Sequence, residues 1–222
     1  MGHIFRRGLL GLSFILFIAT LYLIFLYVPT EKDMGIVQRI FYLHVPLAWV
    51  SFLAFFIVFL GSILYLWRRE SKWDDMASSS ASVGTVFTTL FLITGSIWAK
   101  QIWGVWWAWS PRLTTALVLW LIYIAYLLVR SFAVEESQGT RFAAVIGIIG
   151  FIDVPIVALA TTLWRTQHPG SVIFQGGLAP PMLLTLLVSL AAFSTLYVLL
   201  LVQAKQAKRD SREIMRLREV LK

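Results

Sequence analysis

Six apolar stretches divide this chain, near residues 8–28, 43–67, 81–99, 113–129, 143–163 and 181–203. Each is close to the length of about 20 residues that a helix needs to cross the hydrocarbon layer of a membrane. In that medium every backbone N–H and C=O must be satisfied within its own segment, so a span of this length is helical. The expected fold class is all-α, a polytopic membrane protein with six transmembrane helices. The mean hydropathy of +0.81, with only 14% charged residues, lies outside the range of a soluble domain. The first stretch follows Arg6 and Arg7, as a signal peptide would. Its apolar run exceeds a signal core, and no small-residue cleavage site precedes Pro29-Thr30-Glu31-Lys32-Asp33, so it reads as a retained span.

The basic residues orient the spans. Arg6 and Arg7, Arg68, Arg69 and Lys72, Arg130 and Arg141, and Lys205, Lys208, Arg209, Arg212, Arg216, Arg218 and Lys222 fall on one side of the alternating layout. Only Lys32, Arg39, Lys100, Arg112 and Arg165 fall on the other. By the positive-inside rule both termini are expected in the cytoplasm. The net charge of +8 then serves the anionic face of the lipid bilayer and is no footprint for nucleic acid. Two parts are expected, a six-span domain over 1–204 and a basic amphipathic tail over 205–222. In the tail Ile214, Leu217 and Leu221 recur at helical spacing, which suits a helix lying on lipid.

This layout sorts the unusual residues. Four of ten tryptophans fall in the run Trp103-Gly104-Val105-Trp106-Trp107-Ala108-Trp109, between spans three and four on the outer side. Of three histidines, His3 is cytoplasmic, while His44 and His168 lie on the same side as the tryptophans. Tryptophans at a boundary usually anchor spans at headgroup level. Four in one short connection also suit a flat aromatic ligand, since indole offers an apolar face and an N–H donor. In a helical segment Trp103, Trp106 and Trp107 would share one face, giving a short Trp-rich surface helix on the outer side. Arg112 beside it would either snorkel to headgroups or pair with a carboxylate such as a porphyrin propionate. Two imidazoles across such a shelf would suit a planar metalloporphyrin. Zinc fits less well, because no thiol or carboxylate accompanies the pair. With no cysteine in the chain, covalent haem attachment through a thioether is excluded.

The run from Trp103 through Ser110-Pro111-Arg112-Leu113-Thr114 closely resembles the signature of the haem-handling WWD proteins, and within them the haem exporter protein C (CcmC) family of cytochrome c maturation. Tyr42-Leu43-His44-Val45-Pro46-Leu47-Ala48-Trp49 resembles that family's first histidine motif. Thr162-Leu163-Trp164-Arg165-Thr166-Gln167-His168-Pro169-Gly170 resembles the second. The resemblance implies non-covalent binding of haem b at the outer, periplasmic face of a bacterial-type inner membrane. It makes His44 and His168 axial ligands of the iron, with Trp103, Trp106, Trp107, Trp109 and Arg112 cradling the porphyrin. It further implies delivery to a periplasmic haem chaperone (cytochrome c maturation protein E), with ABC transporter subunits A and B and a small membrane protein D as partners. The end use would be c-type cytochrome biogenesis. One position departs from the pattern: the family's aspartate after the last tryptophan is Ser110 here. A serine can still cap the helix that starts at Pro111, but it brings no charge.

Other features bear on function classes. Ser78 to Ser80, Ser82, Thr85, Thr88, Thr89, Thr94 and Ser96 mark span three as a close-packing, central helix, and Ala143-x-x-x-Gly147 offers a second small-residue face. Asp153 inside span five is expected to hydrogen-bond a neighbouring helix, a serine or threonine of span three for instance. No phosphate-binding loop and no nucleophile–base arrangement is present, so the chain does not read as an enzyme. The competing reading is a bis-histidine b-type cytochrome subunit in quinone-linked electron transfer. Such a subunit would be expected to place its ligands inside helices, whereas His44 is expected at a helix mouth and His168 in a loop. A secondary transporter would call for broken inverted repeats and several intramembrane charges.

Overall fold

The computed structural model describes residues 3–133, 135–164 and 177–221, and these are helical almost throughout. Six helical stretches are long and apolar enough to cross a membrane. The first is α1 (His3–Tyr22), extended by a π-helical turn at Leu23–Tyr27. A 3₁₀ turn at Ile36–Ile40 leads into α2 (Phe41–Arg68), which is followed by α3 (Ser71–Trp103) and α4 (Pro111–Phe132). The fifth span is divided into α5 (Glu136–Gly150) and α6 (Asp153–Leu163), and α7 (Pro180–Val220) completes the set.

The centre of the bundle is the antiparallel pair α2 and α3. A Cβ on Gly84 would stand 2.7 Å from Ala54 Cβ, so only glycine permits the backbones to come this close. Without a hydrophobic driving force between helices in lipid, such close contact supplies the attraction. Several α3 hydroxyls are kept from becoming a liability by donating to the carbonyl one turn back: Ser78 to Asp74, Ser82 to Ser78, Thr85 to Ala81, Thr88 to Gly84 and Thr89 to Thr85. Ser80 instead donates to Ala54 O across the helix pair and meets the Tyr197 hydroxyl of α7, both at 2.7 Å. Trp120 of α4 donates its indole N–H to Thr89 at 2.8 Å. Span three is thus central, touching α2, α4 and α7, as its small polar residues predict. Gly147 of α5 lies against Val58, Ser62 and Tyr126, so the second small-residue face is also used.

Three details differ from the sequence expectations. Span five is broken at Phe151–Ile152, because Pro155 has no N–H for the Phe151 carbonyl and its ring crowds that carbonyl. Asp153 at this break makes no hydrogen bond to span three; its Oδ2 is buried without a partner among the described residues. The tail is not a separate helix, since α7 runs unbroken from Pro180 past residue 205 to Val220. Its Arg212 pairs with Asp75, and its Lys208 donates to Ser78, both near the start of α3. At the same basic end Arg130 of α4 holds Asp74 of α3 through two parallel hydrogen bonds of 2.6 and 2.7 Å.

Candidate functional site

At the opposite, aromatic end, α3 stops at Trp103 because Gly104 takes the left-handed conformation, φ 74°, and returns its N–H to the Lys100 carbonyl. Pro111 keeps Ser110 extended. Between these two constraints residues 104–110 are not helical, so the surface helix expected over the tryptophan run is absent. Ser110 nonetheless caps α4 as anticipated, its hydroxyl accepting from Leu113 N at 3.5 Å while its carbonyl accepts from Thr114 N at 2.9 Å.

The chain folds round a cleft of about 610 Å³, counted to its open mouth, lined by His44, Phe91, Gly95, Trp98, Trp103, Trp107 and Arg112 among others. His44 occupies the first turn of α2 and is buried against α3. Its ring lies 4.7 Å from the Phe91 ring and meets Trp98 edge-on at 5.6 Å. Its Nδ1 is 3.1 Å from the Thr94 hydroxyl. Directly beneath it Gly95 leaves room for the ring, since a Cβ there would come within 2.9 Å of His44 Cε1. Met34 reaches the cleft from the turn 31–35, whose shape is set by the Glu31 carboxylate accepting from the Asp33 and Met34 amides at 2.9 and 2.6 Å.

The four tryptophans of the run divide. Trp103 and Trp107 line the cleft, whereas Trp106 and Trp109 are 60% and 76% exposed and do not. Trp109 meets Trp107 edge-on, with ring centres 5.9 Å apart. Arg112, in the first turn of α4, lines the cleft with no salt bridge among the described residues. The Trp107 indole N–H is buried with no hydrogen-bond partner among those residues. A buried donor left unmade is costly, and an uncompensated cation more so. Both would be satisfied by an anionic oxygen of a ligand, such as a carboxylate. His168 and Arg165 lie outside the described residues, as does most of the second histidine motif.

Sequence reasoning missed Phe91, Gly95, Trp98 and Ile102, which form one α3 stripe at i, i+4, i+7 and i+11. That spacing was a readable signal, since it marks a single helix face ending at the tryptophan run.

The fold and this cleft define a polytopic helical membrane protein with an aromatic, arginine-bearing cleft at one end of its bundle. A family model described as CcmC, heme exporter protein C, matches residues 3–219. The chain belongs to that family. It is 35% identical over 175 residues to a heme exporter protein C of Bradyrhizobium diazoefficiens, covering 78% of this chain and 66% of that protein. It is 33% identical over 156 residues to the heme exporter protein C of Escherichia coli strain K12, covering 70% of this chain and 64% of that protein. A protein from Marchantia polymorpha, named as cytochrome c biosynthesis ccmC-like and mitochondrial, is 32% identical over 173 residues, covering 78% of this chain and 73% of its own length. The chain thus spans just under two thirds of the Bradyrhizobium and Escherichia coli relatives.

Proposed function

We propose that this chain binds haem b non-covalently in the aromatic cleft and hands it on for c-type cytochrome biogenesis. The observation that carries the reading is the donor set of the cleft: an imidazole on an aromatic wall, with an arginine and an indole N–H that lack partners among the described residues. An imidazole suits haem iron, the flat walls suit the porphyrin faces, and the two donors suit its propionates. In this reading His44 is one axial ligand, His168 supplies the other, and Trp103, Trp107 and Arg112 hold the macrocycle. Trp106 and Trp109, exposed at the rim, serve the approach of a partner or the lipid headgroups. The absence of cysteine keeps the haem transferable.

The distribution of lysine and arginine supports an outward, periplasmic orientation for the cleft in an inner membrane. A periplasmic haem chaperone (cytochrome c maturation protein E) would then receive haem at the mouth. ABC transporter subunits A and B and the small membrane protein D would assemble beside the bundle. The chain acts by holding and releasing its cargo, not as an enzyme.

The test is the absorption spectrum of the purified protein titrated with haem. A six-coordinate spectrum that is lost in His44→Ala and in His168→Ala is expected. A six-coordinate spectrum that persists when both are replaced would overturn the ligand assignment. Deletion in the native host should abolish holo-chaperone and c-type cytochromes; intact c-type cytochromes with impaired respiration would instead favour electron transfer.

A further inference from the structure

An imidazole binds a metal only through a ring nitrogen that carries a lone pair, and the other nitrogen's hydrogen bond decides which one that is. At His44 the deciding group is Thr94. The Thr94 hydroxyl has one hydrogen and lies 2.8 Å from Leu90 O and 3.1 Å from Phe91 O, two carbonyls that can only accept. Its hydrogen is therefore committed to the α3 backbone, as it is at Ser78, Ser82, Thr85, Thr88 and Thr89 of this helix. What Thr94 Oγ1 presents to His44 Nδ1, 3.1 Å away, is a lone pair. The donor in that contact must be the imidazole, so Nδ1 carries the hydrogen and Nε2 the lone pair. The reverse arrangement would require the hydroxyl hydrogen to turn away from both carbonyls.

The next residue completes the seat. Gly95 gives the ring room to lie against α3, where a Cβ would stand 2.9 Å from Cε1. The Phe91 and Trp98 rings flank it one turn to either side. Among the α3 hydroxyls that return a hydrogen bond to their own backbone, Thr94 is the one whose oxygen also meets an imidazole.

We infer that Thr94 is a positioning residue for the cargo: its hydroxyl, oriented by the α3 backbone, holds His44 in the Nδ1–H form and presents Nε2 to the haem iron. The inference rests on the haem reading given above. Partners of this kind around a metal-binding histidine are worth about 10- to 100-fold in affinity. Thr94→Val, which keeps the shape and removes the oxygen, is expected to weaken haem binding by about that factor, and Thr94→Ser to restore it.

The deciding measurement needs no haem. In protein carrying ¹⁵N-labelled histidine, His44 is assigned by loss of its signals in His44→Ala. The wild type should show a protonated Nδ1 and a lone-pair Nε2; Thr94→Val should show a mixture of tautomers, and Thr94→Ser the wild-type pattern. A wild-type His44 protonated at Nε2 overturns the inference. So does a folded Thr94→Val protein with unchanged tautomer and unchanged haem affinity. Should Thr94→Val fail to fold, the wild-type and Thr94→Ser tautomers still decide. Failure of the underlying haem reading looks different: haem binding would be unaffected by His44→Ala, and the inference would lose its cargo whatever the tautomer.

Discussion

Gly95→Ala adds one methyl group at the floor of the histidine seat. Its Cβ would lie 2.9 Å from His44 Cε1, whereas carbon atoms rest at about 3.5–4.0 Å. The ring must therefore withdraw from α3 by roughly 0.6–1 Å. Thr94 is on the same helix, so the same movement stretches the Nδ1–Oγ1 contact from its present 3.1 Å to about 3.7 Å or more, beyond a useful hydrogen bond. Nε2 is displaced with the ring. Losing the tether and shifting the ligand should weaken haem binding by about 10- to 100-fold. Stability should respond far less. Overpacking costs about 1–3 kcal/mol, and replacing a helical glycine by alanine returns about 1 kcal/mol. The assay pairs a haem titration read in the Soret band with thermal unfolding of the haem-free protein in detergent. Affinity within twofold of wild type, in a variant that folds normally, would refute the seat described for His44.

The other predictions concern the rim, the basic end and the departure from the family pattern. Trp107→Phe removes the buried, unpartnered N–H of a cleft-lining residue and should reduce haem retention severalfold, whereas Trp106→Phe should not; equal effects in the same titration would contradict the division of the tryptophan run. Arg130→Met leaves Asp74 buried without its partner, with the two side chains only 18% and 15% exposed, and should cost about 3 kcal/mol in reversible unfolding. The double variant Asp74→Leu with Arg130→Met should recover most of that, and failure to recover would mean the pair matters for more than mutual neutralisation. Ser110→Asp should leave the unfolding midpoint nearly unchanged, because aspartate and serine cap about equally well. A large fall in the midpoint would show that the serine is held by more than its cap.

Much of the fold was legible because a membrane simplifies the rules. Apolar length alone identifies a span, and lysine and arginine orient it. The placement of His44 beside the tryptophan run followed from those two facts, and the cleft holds both. What could not be read depended on single backbone choices. The spacing of Trp103, Trp106 and Trp107 suited a helix, yet Gly104 and Pro111 bracket the segment and take it out of helical geometry. The periodicity was sound, and the caps overrode it. Pro155 similarly broke a span that hydropathy shows as continuous. Thr94 was unreadable as part of a site for another reason: it is one hydroxyl among many on α3, distinguished only by the imidazole that the neighbouring helix brings to it.

Helix α7 adds a mechanical consequence. With 41 residues and no break, it is a beam of about 62 Å, held at its middle by the Ser80–Tyr197 contact and gripped toward each end. Near one end Leu186 packs with Ile24, Val28 and Tyr42, and Tyr42 stands two residues before His44. Near the other, Lys208 and Arg212 hold the start of α3. A beam cannot tilt at one end alone. A rocking of about 5° around its middle carries each tip through roughly 2.7 Å, comparable to the whole span of a hydrogen bond. Whatever grasps the protruding basic end of this helix therefore pulls, through one stiff rod, on the wall that carries the histidine.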